Sequence, residues 1–413
     1  MLLQTSSLDR LSSLKVLLLM MTTIICLFVS DKELFLSLYI NGSSVTFYIF
    51  TLFIPVILLL LNGKFYIDFI TAILMSRLVI YIVPLLYTNN VEGYWGNYFA
   101  VVASFVAYFV ASQNQTNGNE VVQKKVSIIL ALFLVVSSAQ VIFVFLKLTR
   151  EFGSLNINLM KYYLVTPVGG SNYIACIILP LLIFVWNFNT NKLIKYSSVM
   201  LALVSLVIIQ SKNAIIVLII FIGFKVAKLF VKNMRSYIGS SDNKAFGLGL
   251  TLFIFILGIS VIYMIVNYVL MKWNMGMSYN EYSIYEMINA LSSNRLNVYL
   301  SEMIRWSNHI FLGNGLGYEL GYTRAHNWLI DLLVQSGVIG MALYIAALLL
   351  WFRKIRYDIS NNKFIKASFL SILVFLIQGL AEVSIFTISV DILLWYLIGL
   401  SVAVVNSVRM NKG

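Results

Sequence analysis

Runs of about twenty apolar residues recur along this chain from near its start to near its end, each long enough to cross a hydrocarbon core of about 30 Å as a helix. Lipid offers backbone groups no water, so hydrogen bonds must close within each such segment, which makes the runs helices. Twelve spans are expected, at 14–30, 45–62, 65–86, 96–112, 126–147, 170–188, 197–210, 214–231, 247–271, 327–352, 367–387 and 392–408. The seventh is short, and only Gln210-Ser211-Lys212-Asn213 separates it from the eighth. That polar knot is too costly to leave in lipid unless it is buried against protein. A content of 60% hydrophobic and 11% charged residues, with a mean hydropathy of +0.90, excludes an ordinary soluble domain. The reading is an all-α, polytopic integral membrane protein with about 12 transmembrane helices, one membrane domain over 1–413.

Charge orients the spans. With the N-terminus inside, the inner segments hold nineteen of the 29 Lys and Arg residues against four acids, Asp9, Glu120, Asp242 and Asp358. This bias predicts cytoplasmic termini. The net charge of +13 therefore follows topology and does not point to nucleic acid; basic inner loops sit well against anionic membrane lipids. Arg10 and Lys15 precede an apolar run as in a signal peptide, but no small-residue cleavage site follows, so the run reads as an uncleaved first span. Cys26 and Cys176 lie inside expected spans and read as inert buried thiols rather than a metal or disulfide pair. No repeat of 20–50 residues is visible.

Most connections are short; the long one, 272–326, is expected outside the cytoplasm. Within it, Ile284, Met287, Ile288 and Leu291 have helical spacing. After Ser292-Ser293-Asn294, a capping sequence, a second helix is expected from Arg295 to about His309. Leu296, Tyr299, Leu300, Met303 and Trp306 share one face of it, and Arg295, Glu302, Arg305 and His309 a neighbouring stripe. Such a helix lies in the membrane interface, its stripe a solvated face or one turned to a cleft. Arginine is the side chain that binds phosphate oxygens with a fork and never loses charge. Gly313-Asn314-Gly315-Leu316-Gly317 follows, a turn whose N–H groups could also cradle an anion.

His326 stands where the loop enters the tenth span, within reach of water and substrate, and histidine is suited to taking a proton near neutral pH. The alternative is a headgroup anchor. Asn327 could orient it, and Asp331, five residues on, is an ionisable group in lipid and so a functional candidate. His309 reads as a loop residue. Arg77 lies mid-span with no acid three or four residues away, so an ion pair with another helix is expected. Gln378 and Glu382 share a face at i, i+4, and Glu382 and Asp391 bracket a short outer turn. There is no Cys/His metal cluster, P-loop or Gly-x-Ser-x-Gly string.

These residues resemble the bacterial O-antigen polymerase and O-antigen ligase superfamily. The similarity is specific over about fifty residues, Arg295 to Tyr344: Arg295 ahead of Tyr299, the Gly313–Gly317 turn, His326-Asn327, Leu332-Leu333 and Gly337-Val338-Ile339-Gly340. Gly169 to Ala175 resembles the family's Asn-Tyr-x-Ala entry to a span, and Gln210-Ser211-Lys212 its Ser-Arg turn. Departures are Lys212 where the family has Arg, and Tyr163, with Lys161 and Arg150 nearby, where an Arg ahead of Asn172 is usual. No Arg-x10-Gly pattern starts at Arg150, Arg295, Arg305 or Arg324.

The resemblance implies a GT-C-like glycosyltransferase of the bacterial inner membrane, its site facing the periplasm. Its substrate is then an undecaprenyl-diphosphate-linked oligosaccharide, with a polysaccharide chain-length regulator as a partner and no nucleic acid. His326 becomes the catalytic base; Arg295, then Lys212, Arg305 and Arg324, the diphosphate cations; Asn327, Asp331 and Glu382 supporting residues. The transferred sugar is already activated, so no cofactor or metal is needed. Trp306, Tyr318 and Tyr322 could stack on sugars. Polymerisation of O-antigen or capsule-type repeat units is preferred over ligation to lipid A core, because Trp328 follows His-Asn where ligases often carry an acid. A lipid-linked oligosaccharide flippase is the distant alternative; it should show internal repeats and broken, polar mid-membrane helices.

Overall fold

The structure, a computed structural model, describes residues 38–40, 43–45, 66–87, 91–113, 120–153, 161, 163–166, 169–188, 191–238, 295–317, 325–382 and 385–410. The chain divides into two units, Met1–Ile215 with Ser301–Gly413, and Ile216–Leu300. The described residues form helices α1 (Phe69–Ile80), α2 (Val91–Ser112), α3 (Glu120–Phe152), α4 (Ser171–Phe188), α5 (Lys192–Ile209), α6 (Lys212–Ile238), α7 (Arg295–Trp306), α8 (Trp328–Ile355), α9 (Lys363–Gly379) and α10 (Ile388–Met410). Two short antiparallel hairpins accompany them: β1 (Leu38–Ile40) with β2 (Ser43–Val45), and β3 (Val165–Thr166) with β4 (Gly169–Gly170).

Six stretches of the described residues are long and apolar enough to cross a membrane: Phe69–Leu86, Glu120–Phe152, Ser171–Phe188, Lys192–Ile209, Trp328–Ile355 and Val390–Arg409. This makes the described chain an all-α membrane bundle. The spans expected at 14–30 and 247–271, and all but Val45 of that at 45–62, lie outside the described residues. The expected span at 367–387 is shorter, because the α9 helix stops at Gly379 and the chain turns through Glu382 before α10. Helix starts follow local chemistry. Asp68, Asn191, Asn327 and Asn362 each stand in extended conformation and accept first-turn N–H groups of α1, α5, α8 and α9.

In the first unit α10 is the innermost helix, almost wholly buried, and α2 runs along it. Gly399 permits this approach: a Cβ there would lie 2.6 Å from the Tyr108 carbonyl oxygen and 2.8 Å from the Ala111 Cβ. The α9 helix packs on α4, where Ser371 donates to the Pro180 carbonyl at 2.7 Å, and α8 packs on α1. One end is pinned by charge: Asp68 accepts from Lys354 Nζ at 3.0 Å and from the Tyr108 hydroxyl at 2.8 Å, and Arg409 reaches the Lys354 carbonyl at 3.1 Å.

The environment of Arg77 corrects the expectation of an ion pair. Among the described residues no carboxylate pairs with it. The guanidinium is buried 4.7 Å from the Tyr344 ring, 5.2 Å from Tyr81 and 5.6 Å from Trp395. Each desolvated cation–π contact is worth up to about 2 kcal/mol, and a mid-span arginine costs about 2.5–3.5 kcal/mol. Three ring faces are therefore enough to hold it. The partners do come largely from other helices, but as aromatic rings.

Helix α8 is broken at Gly337, where φ is 64° and ψ −171°. The backbone groups this frees are taken by the preceding loop. Asn314 N–H donates to the Val334 carbonyl at 2.8 Å and Gly315 N–H to Gln335 at 3.1 Å. In return Val338 and Ile339 N–H donate to Ile310 and Phe311 at 3.0 and 3.1 Å. The loop thus serves as the missing turn of the helix, which satisfies the break from within the chain.

Candidate functional site

His326 lies between two fixed points. Asn327, next in sequence, caps α8 with Oδ1 toward the N–H groups of Leu329 and Ile330 at 3.0 and 3.5 Å. Asn327 is therefore a helix cap rather than a group bonded to the imidazole. Asp331, buried on the first turn of α8, reaches back to accept the Ala325 N–H at 3.1 Å. Between them His326 adopts φ +52°, in the left-handed region. Its Nδ1 then lies 3.7 Å from Oε2 of Glu382, and its side chain keeps 36% exposure while Glu382 is buried. The arrangement gives a half-open imidazole facing a buried carboxylate across 3.7 Å, longer than a hydrogen bond, with Nε2 on the side away from it.

A second cluster belongs to the same end of the bundle. Gln210 caps α5 in the left-handed conformation, Ser211 is buried, and Lys212 begins α6. Asn213 donates to the Gln378 carbonyl at 2.6 Å, and Lys161 Nζ to the Gln210 carbonyl at 3.1 Å. The polar knot between the seventh and eighth expected spans is thus only partly covered by protein: Ser211 is buried, Gln210 and Asn213 are half-buried and Lys212 is exposed. Burial holds the Lys161 ammonium below its usual range; the like charge of Lys212 adds to this, and Glu382 opposes it. Two ammonium groups and the carboxylate that faces His326 are therefore close enough to feel one another. The Gln378 side-chain amide, one helical turn before Glu382 and wholly buried, has no hydrogen-bond partner among the described residues, nor has Oδ1 of Asn172.

The Gly313–Gly317 turn is not an anion cradle. The N–H groups of Gly313, Asn314, Gly315 and Gly317 donate to His309, Val334, Gln335 and the Gln335 side chain at 2.8, 2.8, 3.1 and 3.1 Å. Its glycines make close approach possible. A Cβ on Gly313 would stand 2.5 Å from the Gln335 carbonyl carbon, and one on Gly337 would overlap the Phe311 carbonyl. Tyr87 fixes the loop from the other side, stacking on His309 at 4.5 Å and donating to the Gly313 carbonyl at 2.7 Å.

Arg305 and Glu302 lie on α7 with Nη1 and Oε1 3.4 Å apart. Glu302 is buried, and Oε2 has no partner among the described residues. Burial pushes its carboxyl up to about 7, Arg305 opposes this, and the charge of Asp331 adds to it. The polar stripe on α7 is therefore turned to protein at Glu302, while Leu300, Met303 and Ile304 are exposed.

Of the candidates read from sequence, the structure brings His326 and Glu382 together and places Asn327 and Asp331 around the His326 turn, while Lys212 follows the Gln210 turn that Lys161 bonds. Arg305 is engaged by Glu302; Arg295 opens α7 in the second unit. Arg324, Tyr318 and Tyr322, and the expected helix at Glu281–Leu291, lie outside the described residues. Lys161 was legible only as a basic residue near a missing arginine, since no local spacing links it to Lys212. Trp328 has a structural role: its indole N–H donates to the Leu376 carbonyl at 3.1 Å and its ring packs on Tyr344. Among the described residues no group of three or more His, Cys, Asp or Glu could hold a metal ion. Neither protein-family models nor curated proteins give a match to this chain.

Proposed function

We propose that this chain is a membrane glycosyltransferase that polymerises undecaprenyl-diphosphate-linked oligosaccharide repeat units at the outer face of a bacterial inner membrane. The observation that carries the reading is the pairing of His326 with Glu382 beside Lys161 and Lys212. A base, its orienting carboxylate and two cations then meet at one end of an apolar bundle. The resemblance over Arg295 to Tyr344 supplies the substrate class, and the excess of basic residues in alternate connections supplies the sidedness and cytoplasmic termini. The full twelve-span, GT-C-like architecture belongs to this reading.

In this reaction a hydroxyl of the incoming repeat unit attacks the anomeric carbon at the reducing end of the growing chain. The new C–O bond forms as the bond to the lipid diphosphate breaks. His326 Nε2 takes the hydroxyl proton, and Glu382 holds the ring and supplies a counter-charge to it. Lys161 and Lys212 stabilise the charge gathering on the departing diphosphate. An anion there also relieves the mutual repulsion of the two lysines. The family resemblance assigns diphosphate binding to Arg295 as well. The break in α8 gives no support to a flippase, because its freed backbone groups are bonded to the 310–315 loop.

Deletion of the gene followed by gel analysis of surface polysaccharide tests the reading. Single repeat units on lipid A core are expected. Long glycan stranded on the lipid carrier would instead identify a ligase, and unchanged polysaccharide would refute both.

A further inference from the structure

We propose that Asp331 is the positioning residue of His326: its carboxylate holds the Ala325 N–H and thereby fixes the left-handed turn that presents the imidazole to Glu382. This rests on the assignment of His326 as the base. A non-glycine residue in the left-handed region is strained and persists only where its surroundings impose it. Helix capping does not impose it here, because Asn327 alone meets the first free N–H groups of α8.

The Asp331 bond runs the other way, out of the helix to the residue before His326. Ala325 is wholly buried, so its N–H would otherwise have lost water without gaining a partner in that direction. Asp331 is itself buried, and a carboxylate is a costly side chain to bury merely to close a turn. The chain is thus tied to α8 on both sides of His326, by Asp331 at 325 and by Asn327 at 327. The imidazole has little freedom except about its own side-chain bonds. Asp331 does not bond the ring in this arrangement. Its role is to set the backbone from which the ring projects, and an uncharged acceptor of the same shape should perform it.

The test compares Asp331→Ala and Asp331→Asn in purified, reconstituted protein. Amide hydrogen exchange is read across Ala325, and polymerisation of a lipid-linked repeat unit is assayed in parallel. In Asp331→Ala the Ala325 amide should exchange faster, and kcat should fall on the order of 10²-fold with KM for the donor little changed. Asp331→Asn, which keeps Oδ1, should restore both slow exchange and most of the turnover. In a His326→Ala background, Asp331→Ala should cost nothing further in rate. Unchanged exchange at Ala325 in Asp331→Ala would overturn the proposal. So would an additive rate loss in the double variant, or failure of Asp331→Asn to restore exchange. If the wild-type protein transferred no sugar, the functional reading would fall while the exchange result still decided whether Asp331 holds the turn.

Discussion

The side chain on which the proposed chemistry turns is His326, and its surroundings bear on whether it is a base or an anchor. An anchor needs only a hydrogen bond to a headgroup, which glutamine also provides. A base needs to accept a proton, and the carboxylate 3.7 Å from Nδ1 is placed to serve that role. Turnover of a purified His326→Gln variant with lipid-linked repeat units should therefore fall by about 10²–10⁴-fold. Near-normal turnover would remove His326 from the chemistry. Lys161→Ala and Lys212→Ala should act differently, raising KM for the diphosphate-bearing donor, because each removes charge from the leaving-group end. An unchanged KM in both would take the diphosphate away from this pair. The motif string made His326 legible from sequence, but its partner was not. Glu382 lies 56 residues away by numbering, and the two meet because α9 returns alongside α8, with Trp328 bonded to the Leu376 carbonyl and Phe369 against Trp351.

At the scale of elements, the loop before α8 and the break within it form one structure. The broken helix leaves carbonyls and N–H groups that the 310–315 segment satisfies. The glycine strings at 313–317 and 337–340 look like separate motifs in sequence. They are two sides of one contact, at which Gly313 and Gly337 both take positive φ and neither has room for a Cβ. Gly313→Ala and Gly337→Ala should each destabilise the protein by more than about 1 kcal/mol, read as a lowered midpoint of thermal unfolding in detergent. Wild-type midpoints would contradict the interlock. The α7 helix adds a pH dependence. The Glu302 carboxyl lies above its ordinary value near 4.5, at about 7, so the folded protein holds a proton there that the unfolded chain has released. Its stabilising contribution is present below about 4.5 and is lost as pH rises through 7. Glu302→Gln should flatten that part of the stability profile, and an unaltered profile would show that another group is responsible.

For the molecule as a whole, the apolar runs made the helices legible. Their boundaries depended on polar residues whose partners are remote in sequence. The turn at 210–213 was legible as a polar cost, but not as tied at its two ends to Lys161 and Gln378. Arg77 was legible as a buried charge; its aromatic cage was not, because Tyr344 and Trp395 are distant in sequence and no spacing rule connects a cation to ring faces. Sidedness follows from connectivity joined to charge. The turn at 356–361 follows the C-terminal end of α8, whereas the 307–312 turn leads into the segment bonded at the Gly337 break in its N-terminal half, so the two are expected on opposite sides if α8 crosses the membrane. Ser360 and Asn308 are exposed in those turns. In intact spheroplasts an impermeant thiol reagent should label Asn308→Cys at once and Ser360→Cys only after the membrane is opened. Cys176, the native cysteine of α4, is buried and should stay silent. Labelling of both engineered thiols from the same side would overturn the inner placement of the basic connections, and with it the outward-facing site of the proposed transfer reaction.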